Sequence, residues 1–401
     1  MEIRTLKDIE NLEGKKVLLR VDFNVPMDKT TGEIEDDTRI TESLPTINFL
    51  LEKGAKIIIM SHLGRPEGEV KEELRLTKIG EYLSKLLNKS VKKMDEVLSD
   101  IVKKEIERMQ NGEIILLENM RFRKEEEECE ENFTKELASL GEIFVNDAFG
   151  TAHRKHASTA GLADFLPAYA GVLMEKEITH LSKVLEEIPA KPITMIFGGS
   201  KIDTKIGIIQ HFLDKADYFL IGGGLANTFL FAKGVNVGDS LYEKDKVDVA
   251  KQIIEKLNSK ENSLNLPVDA IVAKEISDEA QVQEIAIESL PEEMKILDIG
   301  RKTAENFSEI IKKSGTVIWN GPLGVYEYKP FMNGTKSIAE AIADSECVSI
   351  IGGGDTADCI KKFGIPEGKF THISTGGGAC IEFLSGEKLP GIEILRKQKF
   401  L

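Results

Sequence analysis

The strongest constraint on the fold of this chain is an alternation. Short β-branched runs, each ending in a polar or glycine-rich turn, are followed by longer segments with helical periodicity. In the first half the runs fall at 17–21, 57–60, 114–117 and 143–145, and in the second at 193–197, 218–221, 271–272, 317–319, 348–351 and 372–375. Runs this apolar, without polar alternation, suit parallel strands covered on both faces by helices. The chain has 401 residues, more than the roughly 250–300 at which a single core stops growing. The expectation is an α/β chain of two doubly wound domains, each with a parallel sheet covered by helices. Residues 174–188 have apolar positions near helical spacing, closed by Pro189 and Pro192, and read as a connecting helix.

Charge and cysteine usage narrow the partners. Fifty-three Lys and Arg against 68 Asp and Glu give a formal charge of -15, which repels nucleic acid and anionic membranes. The four cysteines, Cys129, Cys347, Cys359 and Cys380, form no CxxC pair and no metal-ligand spacing, as expected in a reducing compartment. The N-terminus is charged and no stretch approaches the roughly 20 apolar residues of a membrane span, so the expected location is the cytoplasm. The acidic run KEEEECEE at 124–131 reads as a solvated face.

In open parallel sheets ligands bind beyond the carboxyl ends of the strands. In the first half those positions hold Asp22 and Asn24 (RVDFNVP), His62 and Arg65 (SHLGRP), Arg121 and Arg123 (ENMRFR) and Arg154 (NDAFGTAHRKHAS), with Arg39 in the expected loop DDTRI. Guanidinium forks grip carboxylate and phosphate bidentately, so the group reads as a local anion site on an acidic protein. Taken singly, each arginine is equally a surface residue or a partner for a nearby acid, and Arg123 keeps that structural reading. His153 and His156 lack the carboxylate or cysteine that would complete a metal set and read as hydrogen-bonding or framework residues.

In the second half the turns are glycine clusters: Gly198 and Gly199, Gly222 to Gly224, Gly352 to Gly354, and Gly376 to Gly378. Glycine lets backbone N–H groups approach a phosphate, and a helix starting there adds its positive end. There is no P-loop motif and no dinucleotide fingerprint, which argues against a nicotinamide enzyme. Instead GGSKIDTKI sets Lys201 and Lys205 four residues apart, expected on one helical face. Asp355 in GGGDT is a natural magnesium ligand beside nucleotide phosphates; a helix N-cap is the alternative.

With these residues in hand, RVDFNVP, SHLGRP, VNDAFGTAHR, GGSK, GGGLANTF, WNGPLGVYE, GGGDT and STGGGA resemble the motifs of the phosphoglycerate kinases, in that family's order and over essentially the whole chain. The resemblance implies reversible phosphoryl transfer from 1,3-bisphosphoglycerate to Mg-ADP, giving 3-phosphoglycerate and ATP, by direct in-line transfer with domain closure, in a monomer. It implies that Asp22, Asn24, Arg39, His62, Arg65, Arg121 and Arg154 hold the phosphoglycerate. Lys201 would follow the migrating group with Arg39, Gly376 and Gly377, and Lys205 would contact nucleotide phosphates. Gly198, Gly199, Gly222, Gly223, Asn320, Gly352, Gly353, Gly354 and Thr356 would line the nucleotide, Glu327 would accept the ribose hydroxyls and Asp355 would bind Mg2+. The expected domains are 1–172, for phosphoglycerate, with the tail 385–401 returning to it, and 173–384, for nucleotide. Ser200 and Arg301 depart from the usual wording of their motifs.

Overall fold

The computed structural model describes residues 1–28, 30–186, 190–258 and 263–397. Contacts divide the chain into two compact units: Met1–Thr179 with the C-terminal residues from Lys388, and His180–Glu387.

In the first unit the elements run β1 (Lys16–Arg20), α1 (Thr38–Glu52), β2 (Lys56–Met60), α2 (Thr77–Leu87), β3 (Val91–Lys93), α3 (Asp100–Glu107), β4 (Ile114–Leu116), α4 (Lys124–Glu128), α5 (Glu131–Ala138), β5 (Ile143–Asn146) and β6 (Ala168–Ala170), and the chain then leaves it within α6 (Val172–Glu186). The six strands form one parallel sheet in the order β3-β4-β2-β1-β5-β6. Its central strands are buried at nearly every position, as continuous apolar runs demand when both faces are covered. Val17, Leu19, Ile57 and Ile59 lie in one core cluster with Ile47 and Leu50 of α1 and Ile79 and Leu83 of α2. The edge strands β3 (VKK) and β6 (AYA) escape the sequence pattern because three residues are too short to show a period. Ile188 and Pro189, the expected end of the connecting helix, lie outside the described residues.

The second unit contains β7 (Ile193–Phe197), α7 (Asp203–Phe212), β8 (Tyr218–Ile221), α8 (Gly223–Ala232), α9 (Val247–Asn258), β9 (Ser263–Asn265), β10 (Asp269–Ala273), β11 (Gln283–Ala286), β12 (Lys295–Ile299), α10 (Arg301–Lys313), β13 (Thr316–Asn320), α11 (Asn333–Ala343), β14 (Val348–Gly352), α12 (Gly354–Lys362), β15 (His372–Ile373) and α13 (Gly378–Leu384). Its main sheet, in the order β15-β14-β13-β7-β8-β9, is also parallel. One expectation fails here. The 271–272 run belongs to β10, the middle of a separate antiparallel sheet β11-β10-β12. Its partners QEIA and KILDI carry polar residues among the apolar ones, because this sheet is less completely covered.

The last helix, α14 (Pro390–Glu393), belongs to the first unit. There Gly391 N donates to Ala152 O at 2.8 Å and Arg4 N to Leu395 O at 2.7 Å.

Candidate active site

In the first unit a chain of side chains follows the carboxyl ends of the strands. Arg20, the last residue of β1, is 1% exposed. It donates through Nη1 to Val21 O, and Nη2 stands 3.2 Å from His62 Nδ1. His62 follows β2 and is itself buried, 3.7 Å from Asp22 Oδ1. Arg39 Nη1 reaches Asp22 Oδ2 at 3.1 Å and Asn24 O at 2.9 Å, while Asn24 Oδ1 accepts from Gly64 N at 2.8 Å. Arg39 therefore acts from the first turn of α1 and not from a loop. Arg121, on a single turn after β4, donates to Gly64 O at 3.1 Å and faces Glu127. Arg65 and Arg154 are exposed, and neither guanidinium has a partner among the described residues.

The acidic run departs from its expected role. Glu126 is fully buried and accepts from Ser158 N at 2.9 Å and Ser158 Oγ at 2.6 Å. Burial raises its pKa, and the charges of Arg20 and Arg121 oppose that rise. The run is a solvated face with one residue turned inward as the counter-charge to the arginines. Arg123 pairs with Glu125 at 2.8 Å, a structural contact. His156 is pushed down to about 4 by burial and by Arg121, Arg20 and Arg154. Among the described residues no group of three His, Cys, Asp or Glu could hold a metal.

In the second unit a cleft of about 880 Å³ opens beside Gly199, Gly223 and Gly224, with Leu241, Ile296, Leu323 and Glu327 on its walls and Asp355 also lining it. The volume suits a ligand of nucleotide size. In two of the glycine clusters the amides serve the fold itself. The amides of Gly198, Gly199, Gly222 and Gly223 donate to Asn320 O, Pro322 O, Phe197 O and Leu323 O, so none is free for a phosphate. A Cβ at Gly198 would stand 2.0 Å from Pro322 O, which is the steric reason for glycine there.

The other two clusters differ. Gly353 has φ +95° and Gly377 φ +51°, while a Cβ on Gly354, Gly377 or Gly378 would meet nothing within 4 Å. Internal packing thus gives no reason for glycine at Gly354 and Gly378. The amides of Gly354, Asp355 and Thr356 occupy the first turn of α12, where helix N–H groups lack intrahelical acceptors. Asp355 lies inside that turn and Gly353 is the N-cap, so the N-cap alternative for Asp355 fails. The Gly376 amide is already engaged by Ser374 Oγ at 3.1 Å.

Lys201 and Lys205 do not share a helical face, because α7 begins at Asp203 and Lys201 precedes it, exposed and without an acceptor for its ammonium among the described residues. Lys205 is buried and donates to Asn320 Oδ1. Burial lowers its pKa to about 8, against the raising charge of Asp355. Asn320 Nδ2 donates to Gly352 O at 2.8 Å, which holds that amide in place. Thr356, expected on the phosphates, is buried with its hydroxyl between Gly321 N at 2.8 Å and Gly352 O at 2.9 Å. Its role is to tie the β13 turn to the β14 turn.

Sequence reasoning missed Arg20, Glu126 and Asp298. Asp298, in the cleft wall, accepts from Gly334 N at 2.7 Å and Ile299 N at 2.9 Å. Its signal was the DIG at the end of β12, a strand hidden by its own polar residues. Arg20 and Glu126 carried no local signal, since nothing in the sequence marks a charge as buried.

The phosphoglycerate kinase family model matches residues 6–387. A phosphoglycerate kinase of Dictyoglomus turgidum is 50% identical over 399 residues, which span 99% of this chain and 100% of that one. Among solved structures, the phosphoglycerate kinase of Coxiella burnetii superposes with a TM-score of 0.86 at 42% identity, covering 98% of each chain. That of Pyrococcus horikoshii gives 0.87 at 36% identity, again covering 98% of each. Agreement of sequence, fold and strand-end chemistry over this length has one reading: the chain belongs to the phosphoglycerate kinase family.

Proposed function

We propose a division of labour for the family's reaction, the reversible transfer of a phosphoryl group between 1,3-bisphosphoglycerate and ADP. The first unit holds the phosphoglycerate, through Arg39, Arg65, Arg121, Arg154 and His62, with Asp22 and Asn24 orienting Arg39. The second holds the nucleotide, its base on the apolar cleft wall, its ribose near Glu327 and its phosphates near Lys201, Lys205 and α12. The observation that carries this reading is the pair of exposed, unpartnered guanidinium groups of Arg65 and Arg154. They offer bidentate anion recognition on the first unit, whereas the cleft of about 880 Å³ lies in the second.

In the ATP-consuming direction the nucleophile is a carboxylate, ionised at neutral pH, so no general base is required. Charge in the transition state spreads over the equatorial oxygens, and positioning with electrostatic stabilisation carries the catalysis. Arg39, Lys201 and the amides of Gly377 and Gly378 are the groups proposed for that work. Asp355 fits magnesium, being an exposed carboxylate with no hydrogen bond or ion pair among the described residues, and one or two carboxylates suffice when phosphates complete the shell. The ion would neutralise phosphate charge there. The reaction also demands that the carboxylate held by one unit meet the phosphoryl group held by the other, and closure on loading both substrates is the proposed route.

The test is a coupled assay of ATP consumption with 3-phosphoglycerate and magnesium. In Arg65→Ala the KM for 3-phosphoglycerate is expected to rise by about tenfold or more, with the KM for ATP nearly unchanged. Equal effects on the two substrates would undo the division.

A further inference from the structure

The contact between Arg20 and His62 settles a proton position. A guanidinium has five N–H donors and no acceptor, and it stays charged in proteins. Its Nη2 lies 3.2 Å from His62 Nδ1, so Nδ1 must present its lone pair. The competing Asp22 Oδ1, at 3.7 Å, is beyond hydrogen-bond range. Arg20 cannot easily swing away: it is 1% exposed, and its Nη1 is bound to Val21 O and lies 3.4 Å from Met60 O. A protonated imidazole would set N–H against N–H in this geometry. The remaining proton must sit on Nε2, which has no partner among the described residues.

We infer that Arg20 is a positioning residue that holds His62 as the neutral Nε2–H tautomer, so that His62 offers the anionic substrate an uncharged hydrogen-bond donor. The inference deepens the proposed function, since the substrate side of His62 rests on that reading. The groups facing His62 are Arg20 from β1, Asp22 just after it, Arg39 from α1, Arg121 after β4 and His156 after β5. Burial comes first in holding its pKa well below the usual value, followed by the arginines. The net field of these neighbours therefore works in the same direction as the hydrogen bond. A neutral donor removes the histidine's own titration, ordinarily near 6.5, from the pH dependence of substrate affinity and leaves only that of the substrate phosphate. It also leaves charge neutralisation to the arginines.

The decisive measurement is nitrogen-15 NMR of the histidine-labelled enzyme, with the His62 signals identified by their loss in His62→Gln. The expected result is an acceptor-type Nδ1 and a protonated Nε2, both unchanged between about pH 6 and 8. A proton on Nδ1, or a titration within that window, overturns the inference. The role of Arg20 is read in Arg20→Gln and Arg20→Lys. In the glutamine variant, whose amide can accept as well as donate, Nδ1 is expected to lose its fixed acceptor state. The His62 pKa is expected to rise from its wild-type position while burial and the remaining arginines still hold it low. The KM for 3-phosphoglycerate is expected to fall relative to the wild type on acidification, because the cation binds the anion better. The lysine variant, still a pure donor, is expected to restore the wild-type tautomer and profile. If the glutamine variant folds and keeps the wild-type tautomer and profile, Arg20 is not the determinant. The ring spectrum is independent of the Arg65 assay, so failure of one leaves the other standing.

Discussion

Lys205 is a buried cation in the first turn of α7. Its ammonium has three N–H donors and, among the described residues, a single hydrogen-bond acceptor, Asn320 Oδ1, in a buried position. That shortfall leaves room for phosphate oxygens, while burial depresses the pKa to about 8. A bound polyphosphate restores the charged form, so nucleotide binding at pH 8 should take up protons, seen as buffer-dependent heats in calorimetry. The KM for ATP should climb above pH 8, approaching about tenfold per pH unit, and Lys205→Arg should flatten that climb. No proton uptake would remove Lys205 from the phosphates. The sign for folding is opposite: between about 8 and the ordinary lysine value the unfolded chain binds more protons, so this group makes the fold more stable as pH rises. The loss of affinity is therefore not unfolding. None of this was legible in GGSKIDTKI, because spacing cannot say which lysine is inside.

At the scale of elements, α7 and α12 illustrate how a glycine turn is read. The sequence shows four similar clusters, and only the backbone hydrogen bonds separate those that brace one another from those left open. At Gly198 and Gly222 the amides are spent on neighbouring turns, whereas Gly354 opens α12 with no internal reason to lack a side chain. Gly354→Ala should therefore leave the fold intact or raise its stability by up to about 1 kcal/mol, through helix propensity. The added methyl should raise the KM for ATP by about tenfold or more if phosphates approach this turn. Thermal melting and initial rates measure the two effects separately, and an unchanged KM would take the phosphates away from α12. The short strands β3 and β6, and β12 with its buried Asp298, were not visible in the sequence. A run of three residues or one interrupted by a carboxylate lacks the period that marks longer strands.

For the whole molecule, stability depends on buried carboxyls such as Asp147. It follows β5, is fully buried, and accepts from Met174 N at 3.1 Å in the first turn of α6, the helix through which the chain passes from one unit to the next. Its Oδ2 has no hydrogen-bond partner among the described residues. Burial, opposed by Thr46 and the Met174 and Leu173 amides, raises its pKa to about 7. An acid raised on folding adds stability at low pH and loses it as pH climbs from its unfolded value, near 3.9, through 7. Asp147→Asn keeps the acceptor and removes the charge. It should melt higher than the wild type at pH 8, by a margin that shrinks at pH 5 and vanishes below about pH 4, by calorimetry; a lower melting temperature at pH 8 would mean the ionised form is the stabilising one.

The alternation of the longer strands with helices and turns was determined by the sequence itself, because hydrophobic periodicity and glycine placement are local properties and the ends of those strands announce their chemistry nearby. The arginine set, the two lysines and Asp355 could be named on that ground alone. What the tertiary structure decided was the state of those groups: Arg20 and Glu126 inside, Arg65 and Lys201 outside, Thr356 committed to its own backbone, and His62 locked to one tautomer. Burial and hydrogen-bond partnership depend on segments far apart in the chain, as Glu126 on Ser158 and Lys205 on Asn320, and no local pattern encodes them.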